Sequence, residues 1–482
     1  MTTAQQEILK TLEAYKAGGA PQIGLLSPDI IKDWNIATGF QAYNLQPVAL
    51  LMFPQLTPIR NMTARVQGKG KKAEYKGVTA LNNTNLQGFV AEGSAASLVQ
   101  TTTVDITATY KSFALGDKVT FESQWSGVGF TDVKALAVTN LLRAAMIAEE
   151  NAIIFGQSNG AANATEQAPG AAGQSPQPTL AATGADGSIS FGTYYIKQTV
   201  VTGMGESTPS TAVSQSVGTN QHLTITPVFP TTQPVIGFKF YWSSSSGGTY
   251  SEIKAADISG GAKSNGTLPG GSLAWYTNGD AINVLTLTGG NAAPPVSDGS
   301  ASANAFNGIY PQMWGGSGAT LTNAAGALTT TLINNMFKSL WNNAKADPDA
   351  VWCNAQESIK LNGITLGNGT PYYLVVDNTA GATANFRVAR LTNPVTGSEV
   401  PVRVHPTSPQ GTMLFLSSKL PGWYVPTDVP SVWEMDLPQD YVEIDYPPNQ
   451  SNPFWQVEVR FYGALKLYIP GLQGALYGIN NS

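Results

Sequence analysis

Two low-complexity stretches constrain this chain more than any other feature. Residues 157–178 read QSNGAANATEQAPGAAGQSPQP, and residues 289–303 read GGNAAPPVSDGSASA. Chain rich in Gly, Ala, Pro and Ser buries too little apolar surface to offset the entropy of ordering it, so both stretches read as linkers. A single continuous core is therefore excluded. The segment between them must fold as its own module, and the two flanks must meet around it. At 482 residues the chain is also too long for one ordinary domain. Within 179–290 the best strands are GTYYIKQTVVTGMGESTPS and PVIGFKFYWSSSSGGTYSEI, short runs broken by Gly/Ser turns. That rhythm predicts a small all-β sandwich.

The flanks mix helix and strand. Residues 4–16 predict one short helix with Ile8, Leu9, Leu12 and Tyr15 on one side, stopped by Gly18, Gly19 and Pro21. From there to residue 58, prolines at 21, 28, 47, 54 and 58 punctuate an arm that must lie on something else. Residues 60–121 are strand-like and predict a long hairpin, with RVQGKGKKAEYKG (65–77) at its tip. Residues 131–155 form the clearest helix. Thr131 is placed as its N-cap, Asp132 lies in its first turn, and Val133, Leu136, Leu141, Ala145, Met146, Ala148 and Ile153 make a broad apolar face. Its 25 residues would span about 37 Å, and Gly156 ends it. A second helix is expected over 325–345, a short one near Glu357 to Asn362, and closing strands in WQVEVRFYGALKLYI and GALYGI. Strands and helices do not alternate strictly, so the class is α+β and not a doubly wound sheet.

Charge narrows the function. Charged residues make up 12% of the chain, about half the usual share, and the net charge is -5. A weakly charged surface has little self-repulsion, which suits many copies packed side by side. No global basic field would draw in nucleic acid. The single cysteine, Cys353, cannot form an internal disulfide. No stretch reads as a transmembrane helix, and the N-terminus lacks the basic start and apolar run of a signal peptide.

The motifs that would carry chemistry fail their context tests. Gly68, Gly70 and Ala73 fit a loose G-x-G-x-x-A pattern, but the loop joins two strand-like runs and no helix follows to meet a pyrophosphate. GQSNG (156–160) matches the nucleophile-elbow pattern, yet it follows a helix and opens a linker, the reverse of the required strand-to-helix turn. The two histidines, His222 and His405, are isolated, and no zinc or calcium spacing occurs. The reading is therefore no enzyme, no metal and no cofactor. The basic residues Arg65, Lys69, Lys71, Lys72 and Lys76 have only Tyr75 as a stacking platform, so they read as either a solvated tip or a partner contact rather than a nucleic-acid site. Glu434, Asp436, Asp440, Glu443 and Asp445 form an acidic stretch that reads either as a solvated face or, more sharply, as the surface that meets the basic tip of a neighbouring subunit. The ten tryptophans, scattered from Trp34 to Trp455, read as core or interface residues.

The order of these elements resembles the tailed-bacteriophage major capsid proteins of Hong Kong-97-type fold. GFVAEGSAA (88–96) looks like the end of that family's extended loop, and YKSFALGDKVTFES (110–123) like the strand that leads towards its spine helix. The helix over 131–155 resembles the spine helix itself, and VEVRFYGALKLYIPGLQGALYGI (457–479) the closing strand of the peripheral domain. The resemblance covers 1 to about 156 and 300–482. It implies an N-terminal arm (1–58), an extended loop (59–110), a peripheral domain with spine helix and linker (111–178), an axial domain (291–425) and peripheral return strands (426–482). The intervening 179–290 resembles an immunoglobulin or fibronectin III module whose strand order is permuted or split, projecting outwards. The implied function is self-assembly, through hexamers and pentamers, into an icosahedral or prolate head around double-stranded DNA, without sequence-specific binding and without a membrane. The chain enters its arm almost at once, which implies a separate scaffolding protein or none. Portal and decoration proteins are implied partners. The implied location is the virion, after assembly in the host bacterial cytoplasm. An encapsulin-like compartment, or a β-rich adhesin binding glycans through the module, is the alternative.

Overall fold

The structure, a computed structural model, describes residues 56–82, 89–95, 100–126, 132–159, 174–231, 233–259, 266–267, 274–315, 318–367, 388–420, 431–448 and 454–480. All of these except Asp132 fall in one compact unit. The helix expected at 4–16 and the Thr131 cap lie outside the described residues.

The first flank runs α1 (Pro58–Met62), β1 (Ala64–Gln67), β2 (Lys72–Asn82), β3 (Gln100–Thr109), β4 (Lys111–Thr120), α2 (Phe121–Ser126) and α3 (Val133–Phe155). The middle segment is built of strands, with one 3₁₀ turn. They are β5 (Thr179–Thr183), β6 (Gly192–Val201), β7 (Val213–Val217), β8 (His222–Thr226), β9 (Gly237–Ser243), β10 (Ser251–Glu252), β11 (Gly266–Thr267), β12 (Ala274–Trp275) and β13 (Ile282–Val284). The second flank begins with α4 (Ile309–Gly315), β14 (Thr320–Ala327), α5 (Thr330–Ala344), β15 (Ala350–Cys353) and α6 (Ala355–Gly367). It continues through β16 (Arg390–Thr392), β17 (Glu399–Val404), β18 (Met413–Leu416), β19 (Trp433–Tyr446), β20 (Phe454–Leu467) and β21 (Gly474–Asn480). The class is mixed α/β.

The flanks do meet. One sheet has the order β1-β19-β20-β4 and takes two strands from each flank. Helix α3 buries a stripe at four-residue spacing, Ala137, Leu141, Ala145, Glu149 and Ile153, and at its end also Glu150, Ile154 and Phe155. The alanines let the helix come close to Trp455, Val457 and Val459, with which they form a separate small core. The second sheet has the order β14-β21-β18-β15-β17-β16. Its central strands β15 and β18 are buried at every position, which is why AVWC and MLFL show no alternation.

The second helix starts five residues later than expected. Thr329 has extended backbone and its side chain accepts from the Leu332 N–H, the geometry of an N-cap. Residues 325–327 belong to β14, where Ala325 takes φ +47° beside a register shift. The helix ends at Lys345, in the left-handed region at φ +53°.

Among the described residues the middle segment has two larger antiparallel sheets, β10-β9-β6-β7 and β13-β8-β5, and a two-stranded one, β11-β12. Ile196, Phe238 and Phe240 from the first and Leu223, Ile225 and Ile282 from the second share one core. The second low-complexity stretch is not free. Ala292 accepts from the Glu252 N–H and Gly299 donates to Glu206, each at 2.9 Å, so this glycine-rich chain is held by its backbone against the segment it was expected to tether.

Candidate functional site

The strand register brings the basic and acidic stretches together inside one chain. β1 runs parallel to β19, with Ala64 opposite Glu434 and Gln67 opposite Leu437. Arg65 thereby reaches Asp440 with two nitrogens, Nη2 to Oδ1 at 2.6 Å and Nε to Oδ2 at 3.2 Å. Its Nη1 donates to Glu149 Oε1 at 2.7 Å. Burial works against the Arg65 charge, but the bonds to Asp440 and Glu149 outweigh it and hold the guanidinium above its ordinary value. Burial alone would raise the Asp440 carboxyl, yet Arg65 and the Tyr441 N–H bring it below the usual range.

Glu149 is the centre of this cluster. It is fully buried, it pairs with the Arg60 Nε as well as with Arg65, and Tyr441 OH donates to its Oε2 at 2.7 Å. Burial and the neighbouring carboxylate push the Tyr441 hydroxyl up, so it stays a donor. Glu150, next in sequence, is equally buried and binds the start of α1: the Ile59 N–H donates at 2.9 Å and the Arg60 N–H at 2.5 Å. His405 Nε2 lies 2.6 Å from Glu150 Oε1, and His405 Nδ1 accepts from the Thr407 N–H at 3.2 Å. That acceptor role fixes the ring proton on Nε2, where it donates to Glu150.

A second buried cluster stands on β19 and β20. Lys466 Nζ lies 2.6 Å from Glu434 and 3.0 Å from Asp436. Burial opposes its charge, while Glu434, Tyr468 and Asp436 hold it and raise its pKa. Tyr468, which donates to Glu434, is itself pushed up to about 12, mainly by burial. The base of the ribbon closes over this cluster. Tyr75 OH donates to the Leu467 carbonyl at 3.0 Å, and its ring meets Tyr468 edge-on at 4.9 Å. Gly68 lies so close that a Cβ there would sit 2.1 Å from Asp436 Oδ1, which explains the first glycine of the G-x-G-x-x-A pattern without any nucleotide.

The ten residues singled out in the sequence therefore divide. Arg65, Glu434, Asp436 and Asp440 are spent within the chain. The expectation that all five acids await a neighbour is corrected by those bonds. Lys69 and Lys71 are exposed and have no acidic partner among the described residues; Lys72 pairs with Glu74, and Lys76 lies 3.5 Å from Asp105, both pairs exposed. Glu443 and Asp445 are exposed on the outer half of β19. The position of the lysines also differs from expectation. Lys72 pairs with Thr109 and Asn82 with Gln100, so the closed end of the β2–β3 ribbon points away from residues 68–72. The basic segment is the ribbon's base and not its tip, because β1 leaves the ribbon to join the body sheet. The described residues at the far end, 89–95, are exposed, and Phe89 is wholly so.

Among the described residues the sequence motifs do not come together as a catalytic arrangement. Ser158 of GQSNG is buried, and its N–H donates to Asn307. His405 is committed to Glu150 and Thr407, and His222 to Asp186 and Thr183. Among the described residues no group of three or more His, Cys, Asp or Glu is placed to hold a metal ion, and no helix is long and apolar enough to cross a membrane.

Residues 282–424 match the family model of the SU10 major capsid protein. The matched segment starts on β13 and takes in α4 to α6 and β14 to β18, that is, most of the six-stranded sheet. It covers the region assigned from sequence to the axial domain and stops short of β19. No curated protein matches the chain. Among solved structures, the capsid of the cyanophage P-SCSP1u gives a TM-score of 0.43 at 8% identity, over 92% of this chain and 94% of that one. The capsid of a native GTA particle gives 0.40 at 10%, over 91% and 97%. The holo-SrpI encapsulin complex from Synechococcus elongatus PCC 7942 gives 0.38 at 8%, over 95% and 98%.

Proposed function

We propose that this chain is the major capsid protein of a tailed-phage head, with the Hong Kong-97-type arrangement. Many copies close into a shell around double-stranded DNA. The match of residues 282–424 to a capsid family carries this reading. Three features of the fold support it. Among the described residues the β2–β3 ribbon pairs with no third strand, and an isolated two-stranded ribbon is marginal in water, so a second copy is its natural cover. The exposed lysines at its base and the exposed acids Glu443 and Asp445 are surfaces of opposite sign on every copy. The β-segment between the flanks is the outward module, immunoglobulin-like in having two antiparallel sheets around one core.

Complementary charge of this kind sets register and steers encounter more than it adds affinity. The test is charge reversal followed by sedimentation. Lys69→Glu with Lys71→Glu should slow or misdirect assembly, as should Glu443→Lys with Asp445→Lys. The combined variant should recover. If it assembles no better than either parent, the lysines and these acids do not meet.

A further inference from the structure

Lysine is seldom buried, and a buried ammonium keeps its charge only beside a carboxylate. Lys239 stands on β9 opposite Thr199 of β6 and is 8% exposed. Phe238 and Phe240, its neighbours on β9, face the core shared by the two larger sheets, so Lys239 and Tyr241 lie on the other face of the strand. That face is buried as well, since Tyr241 is almost wholly covered. The two residues that bring acids to Lys239 are each tied to the second low-complexity stretch. The Glu252 N–H donates to Ala292 and the Glu252 carbonyl accepts from Asn291 Nδ2, each at 2.9 Å, while the Glu206 carbonyl accepts from the Gly299 N–H at 2.9 Å.

Lys239 Nζ lies 2.7 Å from Glu252 Oε1 and 3.6 Å from Glu206 Oε2. A simple ion pair needs one carboxylate; here there are two, and their hydrogen bonds set them apart. Tyr276 OH donates to Glu252 Oε1 at 2.9 Å, the same oxygen that Lys239 approaches, so two donors draw electron density from that carboxyl carbon. Glu206 is held by its other oxygen. Thr199 Oγ1 and Tyr241 OH each donate to Oε1 at 2.6 Å, which leaves Oε2 to face the lysine. Burial pushes both phenols up, so both stay donors. A buried amine, a polarised carboxyl and a separate proton carrier are the parts of an amide condensation.

We infer that Lys239 and Glu252 join in an isopeptide bond within the chain, with Glu206 carrying the protons. The Lys239 ammonium passes one proton to Glu206. The freed lone pair attacks Cδ of Glu252 and forms the N–C bond, while Tyr276 donates to the oxygen that gathers charge. Glu206 returns its proton to the departing oxygen and relays a second one from the nitrogen, so that this oxygen leaves as water. The third ammonium proton stays on the amide, Glu206 ends as the carboxylate it began, and nothing is oxidised or reduced. A neutral amide replaces two buried charges, which favours the product where desolvation is costly. The bond staples β9 to β10 across the loop 244–250, in a chain whose single cysteine rules out an internal disulfide. It does not depend on the shell reading.

Intact mass spectrometry of the purified full-length chain, unfolded before injection, reads the bond directly. The wild type should be lighter than its sequence by the mass of one water. Trypsin cuts after a free lysine, so it should leave the peptide 198–254 uncut at Lys239, and the missing water should map to that peptide. Lys239→Arg and Glu206→Gln should each restore the full mass, with far-ultraviolet circular dichroism unchanged. A wild type at its full sequence mass, even after prolonged incubation of the folded protein, would overturn the proposal and leave a buried ion pair. A missing water that persists in Lys239→Arg would place the loss elsewhere and overturn it equally. Persistence in Glu206→Gln would overturn the proton-carrying role.

Discussion

Glu149 decides more of this structure than any lysine in the basic stretch. It lies in line with Ala137, Leu141 and Ala145 on the buried stripe of α3, where a carboxylate survives only because two guanidiniums and a phenol surround it. Glu149→Gln keeps the shape and removes the charge, leaving Arg60 and Arg65 poorly compensated. Breaking one side of such a network costs about 3 kcal/mol, and a urea melt of the variant should show a loss of that size. A change below about 0.5 kcal/mol, the range of an ordinary surface substitution, would mean the network is idle. Asp440 adds a pH dependence. Its folded pKa is depressed, so its contribution is complete above the ordinary carboxylate value of about 4 and is lost as pH falls through the folded value. Asp440→Asn should flatten the acid limb of the stability profile and leave the neutral limb parallel to wild type. The sequence offered a cue that the helix reading passed over: two adjacent glutamates near the end of an apolar run, where solvent-facing acids would interrupt the burial.

Elements were legible where local chemistry is strong and illegible where tertiary contacts override it. α3 was readable from its apolar run. α5 was readable in the middle and wrong at its start, because Thr329 to Thr331 offer three possible caps and Gly326 was read as helix. Thr329→Ala should cost about 1 kcal/mol and fray the first turn, visible as faster amide exchange at Leu332. The ribbon was readable as two strands, but its polarity was not. Glycine and lysine at 68–71 have the composition of a tip, and only the pairing of β1 with β19, nearly 370 residues away in sequence, makes them a base. That one pairing moved Arg65 from a presumed partner contact to an internal ion pair. The acids followed the same logic. Glu434 and Asp436 lie on the buried half of β19 and Glu443 and Asp445 on its exposed half, a division that a fourteen-residue strand conceals in its composition.

At the scale of the molecule, low-complexity boundaries announced a module between two flanks, and the flanks do share a sheet. The looseness those boundaries implied is absent at 289–303, where backbone hydrogen bonds between Ala292 and Glu252 and between Gly299 and Glu206 hold the stretch to the middle segment. Among the described residues, the ribbon has one unpaired edge on each strand, lysines are exposed at its base, Glu443 and Asp445 are exposed on β19, and Phe89 is wholly exposed. Under the proposed function, copies of the chain cover these surfaces. Negative-stain electron microscopy of the purified full-length protein tests that most directly. The account expects closed shells, or rings of five and six. A clean monomer or trimer that never assembles, with a scaffolding protein supplied, would contradict it.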